Sequence, residues 1–303
     1  MTRSRLPLPA SLFIGLLHSG LAEDLRVTPP PDAVRTAFKL APFYQKCVSV
    51  GGFPVVGSAK VSDSALLEAA WLIDHMLTDR DDIRRAMIAN KVRCAVMAIG
   101  ELTTDIPEHN DLTPKKYWDR RARGLGATAE RPAVSGAEEN LLCAPGDPYR
   151  EENILIHEFA HAIHEMGMNT VDPGFDGRLA VAYAGAMKAG LWKGKYAATN
   201  RMEYWAEGVQ SWFDTNRVND HDHNHVHTRE QLKEYDPALA ALIAEVFGDK
   251  EWRYTRPTLR RDLPHLRDYD PAKLSAFAWP KELLEAPTGR DGSKGASLPE
   301  GTK

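Results

Sequence analysis

The stretch NILIHEFAHAIHEMG, residues 153–167, sets three histidines and a glutamate into an otherwise apolar run: His157, Glu158, His161 and His164. At about 100° per residue, the three histidines share one narrow face with Ile154, and Leu155, Phe159, Ala162, Ile163 and Met166 fall opposite. One face can therefore pack into a core while the other presents imidazoles. Gly167 stands where a left-handed cap would end the helix. The spacing of four brings His157 and His161 to one tetrahedral ion, and Glu158, one step round, reaches a water there without being a ligand. Zinc suits the pattern because its Lewis acidity moves the pKa of water towards neutrality. Glu158 would then accept the proton and return it to a leaving amine. The competing account is a core helix whose histidines meet backbone carbonyls; the amphipathic placement and the glycine directly after favour the metal. His164 lies roughly 10 Å along the axis from His157, too far to share the ion, and is expected beside the ligands or in the pocket wall.

A catalytic zinc takes three protein ligands and keeps one position open, so a second segment must supply the third. In TNRMEYWAEGVQSWFD, residues 199–214, Glu203, Glu207, Gln210 and Asp214 share one helical face, and Trp205, Val209, Trp212 and Phe213 the other. Glu203 follows His161 by 42 positions, room for an intervening helix and a return. Asn200 and Glu203 are also spaced as a capping box, in which case Glu207 would be the ligand. A tyrosine phenol could donate to a developing oxyanion, with Tyr183, Tyr196 and Tyr204 as candidates.

HEFAH at 157–161, EYWAE at 203–207, and Tyr196 seven residues before Glu203 resemble the gluzincin metallopeptidases, and within them the anthrax lethal factor family and the related Pro-Pro endopeptidases. The resemblance implies that Glu203 is the third zinc ligand, that Glu207 supports a ligand from outside the coordination sphere, and that Tyr196 stabilises the oxyanion. It covers residues 139–215 closely and 60–250 as a domain, and His164 is not part of the shared motif.

The first residues, MTRSRLPLPASLFIGLLHSGLAED, place Arg3 and Arg5 before an apolar run and small residues at Gly20 and Ala22, the order of a secretory signal peptide cleaved after Ala22. The run is shorter than the ~20 residues that span a bilayer, so no stable membrane insertion is expected after cleavage and the protein should be secreted or periplasmic. Cleavage takes the net charge of the 303-residue chain from −4 to −6, which leaves no electrostatic footprint for nucleic acid. Cys47, Cys94 and Cys143 allow at most one bridge, and no activating base stands near any of them.

Organisation follows from period and punctuation. Residues 23–40, proline-rich around TPPPDAV, read as an extended lead-in, and YQKCVSVGGFPVVGS, residues 44–58, as a hairpin about Gly51 and Gly52. Helices are expected over 62–77 with Ser62 or Ser64 as N-cap, over 81–91, from Thr113 as cap with Pro114 at the first position, over 176–190, and over 228–247 where Pro237 kinks or splits the run. Residues 92–99 read as a buried strand and ENLLC, residues 139–143, as a short one. HDHNHVH, residues 221–227, reads as a polar connection ahead of a Thr228–Gln231 capping box, with an auxiliary metal site as the alternative.

The expected organisation is a signal peptide over 1–22, an N-terminal extension with the hairpin over 23–59, a catalytic domain over 60–286 and a tail of disordered composition over 287–303. The expected fold is α+β and zincin-like: a small twisted sheet, the active-site helix beneath it, and a mostly helical C-terminal half. The expected function is a secreted metallopeptidase holding one catalytic Zn2+ and hydrolysing a peptide or protein substrate. A zinc amidase acting on non-peptide or cell-wall amides is one alternative, and a non-catalytic secreted zinc-binding protein is another. Glu158 argues against the last, since a structural site has no use for a base beside an open position.

Overall fold

The two glycines of the expected hairpin do reverse the chain. Gly51 and Gly52 have φ of 54° and 87°, a region glycine enters without penalty, and join β1 (Lys46–Val50) to β2 (Phe53–Gly57) in antiparallel register. The computed structural model describes residues 25–287, so the expected signal peptide and all but the first residue of the expected tail lie outside the described residues. The expected extended lead-in holds a helix instead: the prolines end at Pro31, and α1 (Asp32–Phe38) follows them ahead of the hairpin. Beyond it α2 (Asp63–Met76), capped by Ser62, and α3 (Asp81–Ala89) form the crossover that a parallel neighbour requires, and β3 (Arg93–Met97) pairs parallel to β2. The expected boundary at residue 60 thus runs between β2 and α2 of one continuous core.

The fold is α+β, with one mixed five-stranded sheet in the order β1-β2-β3-β5-β4. β5 (Ala133–Ala137) runs parallel to β3, and the two-residue β4 (Gly124–Leu125) closes the edge antiparallel to β5. The interior strands β2, β3 and β5 are buried along their whole length. Alternation divides their side chains between two apolar layers: Phe53, Val55, Cys94, Val96 and Val134 enter the main core, and Val56, Ala95, Met97 and Ala137 pack with Phe38, Tyr44 and Ile106 on the other face. Two expectations change here. ENLLC is not a strand: its first residues belong to the helical turn α5 (Glu138–Leu141), directly after β5. α4 (Lys115–Arg121) starts one residue later than expected, with Pro114 at the cap position and no side chain capping it, so Thr113 has no such role.

α6 (Ile154–Ala162) carries the motif beneath the sheet. Asn153 caps it by accepting from the Ile156 amide at 3.0 Å, and Asn140 accepts from the Ile154 amide at 2.8 Å. Phe159 is fully buried edge-on to Phe53, ring centroids 5.7 Å apart. Gly167 does not end the helix. The chain continues as a π-helical turn over Ile163–Met168 into α7 (Asn169–Val171), and Gly167 instead allows α3 to approach, since a Cβ there would stand 2.7 Å from Ile83 Cγ2.

The lower half is helical: α8 (Phe175–Ala189), α9 (Arg201–Trp212), α10 (Arg229–Tyr235) and α11 (Pro237–Phe247), with the split at Pro237 and the Thr228–Gln231 capping box both present. Among the described residues, no helix is long and apolar enough to cross a membrane.

Candidate metal centre

α9 lies across α6, held by the Trp205 indole N–H donating to the Ala160 carbonyl at 2.9 Å. That crossing brings Glu203 to the two motif histidines. His157 Nε2 is 3.1 Å from Glu203 Oε2 and 3.2 Å from His161 Nε2, and His161 Nε2 is 3.4 Å from Glu203 Oε2. A tetrahedral ion with bonds of about 2.0 to 2.1 Å needs its ligand atoms roughly 3.3 to 3.4 Å apart, so these three donors fit a zinc-sized cation and leave a fourth direction open. Among the described residues, His157, His161 and Glu203 are the one such group of histidine, cysteine and carboxylate ligands. Asn200 caps α9 itself, accepting from the Met202 and Glu203 amides at 2.9 Å, so the Glu203 carboxylate is free to turn to the histidines.

The charges in the group support one another. Burial works against a charged His157, but the hydrogen bond to Glu203 and the field of Glu158 lift its pKa to about 10. Burial likewise opposes ionised Glu203, yet His161 and His157 hold its carboxyl well below the usual range. An ionised carboxylate beside two imidazole nitrogens is a donor set that suits a divalent cation. His157 Nδ1 is 2.8 Å from Gln210 Oε1, and the Gln210 amide donates to Glu152 Oε2 at 3.1 Å. The carboxamide oxygen only accepts, so Nδ1 keeps its proton towards Gln210 and Nε2 faces the ligand point.

A cleft of about 210 Å³ opens on His157, with Arg121, Gly124, Glu158, Tyr196, Arg217 and His223 also in its wall. Glu158 stands in the wall and outside the ligand set, and burial raises its pKa. Tyr196 also lines the cleft, its ring 6.4 Å from that of His157; burial raises its pKa, so it stays a neutral phenol able to donate. Its rivals are engaged elsewhere: Tyr204 donates to Asp236 at 2.7 Å and Tyr183 to the Ala198 carbonyl at 2.8 Å. The rim above α6 is built by close approach. A Cβ on Gly124 would stand 2.6 Å from Ile154 Cγ2 and 3.1 Å from Glu158 Cγ, and one on Gly126 would stand 2.9 Å from His161 Cβ.

His164 is not in the cleft wall. It is fully buried among Phe175 and Trp205, with Nε2 3.1 Å from Asp176 Oδ1, and burial lowers its pKa. The helical wheel misplaces it because it belongs to the π-helical turn, where the period is longer than 3.6 residues. The His221–His227 stretch, expected as a polar connection, also reaches the cleft wall through His221, Asp222 and His223. His223 is buried against Glu207, Nε2 to Oε2 3.2 Å, while His221 is exposed and pairs with Asp222. The length of α9 does carry the chain away from the metal point, but the segment after it folds back. Gln210 is on the face expected from the sequence, but nothing there marks it as the partner of His157; Glu207 is 3.6 Å from the same Nδ1, a charge contact at longer range.

All three cysteines are free thiols, Cys47 and Cys94 buried and Cys143 half-buried. Burial pushes Cys47 and Cys143 up to about 11 and Cys94 further, so none is primed as a nucleophile.

No protein-family model matches the chain, and no curated protein matches it. Among solved structures it is similar to a Pro-Pro endopeptidase from Paenibacillus alvei, with 20% identity, a TM-score of 0.37, and a match that covers 64% of this chain and 96% of that one.

Proposed function

We propose that the protein is a zinc metallopeptidase of the gluzincin type in which His157, His161 and Glu203 hold one catalytic ion. The observation that carries the reading is the set of three donor atoms 3.1 to 3.4 Å apart with a carboxylate, Glu158, beside them in the cleft and outside the ligand set. Zinc, when bound, supplies the Lewis acidity that brings water towards neutrality and draws electron density from a carbonyl. Glu158 orients the attacking water, takes its proton, and delivers it to the amine nitrogen as the C–N bond breaks. Its raised pKa suits a group that must both accept and release a proton near neutral pH. Tyr196 donates its phenolic hydrogen to the oxygen of the tetrahedral intermediate. Glu207 and Gln210 orient His157 from behind. The N-terminal sequence adds secretion to the reading, with an extracellular or periplasmic peptide or protein as substrate.

The test is a mixed peptide library incubated with zinc-loaded wild type and Glu158→Gln, alongside zinc analysis of both and of His157→Ala. Glu158→Gln should retain zinc and lose at least ~100-fold in rate, while His157→Ala should lose the metal. Cleavage that survives Glu158→Gln undiminished would overturn the mechanism. A zinc-loaded wild type that cleaves no peptide would move the reading to the amidase or to the binding protein.

A further inference from the structure

His157 is the start and the end of a closed ring of side chains. From Nδ1 it runs 2.8 Å to Gln210 Oε1, then from Gln210 Nε2 3.1 Å to Glu152 Oε2. Glu152 Oε1 is in charge contact with Arg217 Nε at 3.0 Å, and Arg217 reaches Asp220 Oδ2 at 3.1 Å. Asp220 Oδ1 is 2.8 Å from His223 Nδ1, His223 Nε2 is 3.2 Å from Glu207 Oε2, and Glu207 Oε1 returns to His157 Nδ1 at 3.6 Å. Glu152, Glu207, Gln210 and His223 are all buried. Burying a carboxylate costs several kcal/mol unless it is paired, and Glu207 is paired twice, by His223 and by the Asn216 amide at 3.1 Å.

Three of the ring's seven members, Arg217, Asp220 and His223, come from the segment between α9 and α10, which has no helix or strand of its own around residues 217–223. Its shape is set by hydrogen bonds: Asp220 Oδ1 accepts from the Asp222 and His223 amides at 2.8 Å, and the Asn219 amide donates to the Asn224 carbonyl at 2.8 Å. The same segment holds the far side of the cleft. The Asp222 carbonyl accepts from the Tyr196 amide at 2.8 Å, and Lys195 Nζ donates to the Asp220 carbonyl at 2.9 Å.

We infer that residues 217–223 are the positioning element of this site: His223, through Glu207, and Arg217, through Glu152 and Gln210, fix the orientation of His157, while the backbone at Asp222 fixes Tyr196. The inference rests on the metallopeptidase reading. A segment that merely connected α9 to α10 would need neither a buried histidine bridging two carboxylates nor, at once, contacts to the carboxylates Glu207 and Glu152 behind His157 and a backbone bond to Tyr196. Acting in series, His223 and Glu207 are one device, so loss of either removes the same restraint.

The test uses the full chain. Zinc dissociation constants come from competition with a chromophoric chelator, visible spectra from the cobalt(II)-substituted protein, and melting temperatures from the metal-free forms. His223→Ala should weaken zinc ~3 to 10-fold and alter the cobalt d–d bands, and Glu207→Gln should do the same. The double variant should be no worse than either single one. His223→Gln, which can still donate to Glu207, should recover most of the affinity. If His223→Ala fails to fold, Asp220→Asn carries the test, because it keeps volume and the acceptor for both amides while loosening His223. Lower melting temperatures with zinc affinity and cobalt spectrum unchanged would mean the ring only holds the fold, and would overturn the inference. A wild type that binds neither zinc nor cobalt would overturn the metal reading itself, and the positioning role with it.

Discussion

Gln210 offers the sharpest test of how His157 is held, because the resemblance points to Glu207 and the geometry to Gln210. The carboxamide is fully buried and makes two short contacts, 2.8 Å to His157 Nδ1 and 3.1 Å to Glu152 Oε2, whereas Glu207 stands 3.6 Å from Nδ1. Gln210→Leu nearly preserves volume and removes both contacts. Each buried group left without a partner costs about 1 to 3 kcal/mol, so the metal-free protein should lose roughly 2 to 6 kcal/mol, partly offset by the gain of an apolar side chain. Zinc affinity should fall ~10 to 100-fold, because the imidazole loses the acceptor that fixes its tautomer and ring plane. In free energy that is about 1.4 to 2.7 kcal/mol, readily measured by chelator competition. Glu207→Gln should cost less, ~3 to 10-fold, since it removes charge at longer range. If Gln210→Leu binds zinc within about twofold of wild type while Glu207→Gln loses tenfold, the Nδ1 proton belongs to Glu207 and the assignment of the carboxamide is wrong.

Three further outcomes follow from particular contacts. Tyr196→Phe should keep zinc and slow peptide cleavage by up to ~100-fold, because one oxyanion donor is worth about 3 kcal/mol and water replaces part of it; equal rates in the two proteins would remove Tyr196 from the chemistry. Gly124→Ala puts a methyl 2.6 Å from Ile154 Cγ2 and 2.9 Å from the Ser135 carbonyl, an overlap that should cost ~1 to 3 kcal/mol and push the rim off Glu158, lowering turnover more than zinc affinity. Unchanged melting temperature and turnover in that variant would mean the rim yields freely. His109, buried with Nε2 3.1 Å from Ser135 Oγ, has its pKa pushed down to about 4 by burial, against ~6.5 in the unfolded chain. Its neutral form therefore favours the fold above about pH 6.5, and that contribution is lost as pH falls towards 4, by roughly 2 kcal/mol at pH 5. Denaturant titrations at pH 7.5 and 5 should show a smaller acid loss in His109→Gln than in wild type, and equal losses would assign the acid sensitivity to other groups.

The parts of the fold legible in the sequence are those set by local rules. Gly51-Gly52 between two β-favouring runs reads as a turn because the backbone there must take positive φ. Pro237 divides α10 from α11 because it cannot donate within a helix, and it then serves as the first residue of the next one. His157 and His161, the candidate ligands, share a face because four residues make about one turn. The readings that failed all lay where a local rule met a tertiary one. β5, AVSGA, is a central strand with only one β-branched residue, and its small side chains suit the crowding of α6 beneath it: a Cβ on Gly136 would already touch Leu155. Periodicity has little to detect in such a strand, so the pattern settles on the more apolar ENLLC that follows. The wheel that places His157 and His161 correctly misplaces His164, because the π-helical turn changes the period just beyond Ala162.

The site shows the same division more sharply. Gly124 and Gly126, two residues apart around Leu125, carry the usual mark of close backbone approach in a strand, and that spacing is the signal in the sequence for the rim over Glu158 and His161. The ring behind His157 leaves no comparable mark. Its members come from the turn before α6, from α6, from α9 and from the segment after α9, and each residue taken singly has a common and duller role. A glutamate before a helix, a glutamine inside one and an arginine in a polar connection are ordinary surface residues until α9 crosses α6 and the chain folds back. His223 differs from His221 in being buried where the other is exposed, and burial is fixed by the path of the whole segment and not by the alternation of histidines along it. Ligand spacing is a property of one helix and can be counted. The support that orients a ligand is assembled from several segments, so it becomes visible only when their packing is known.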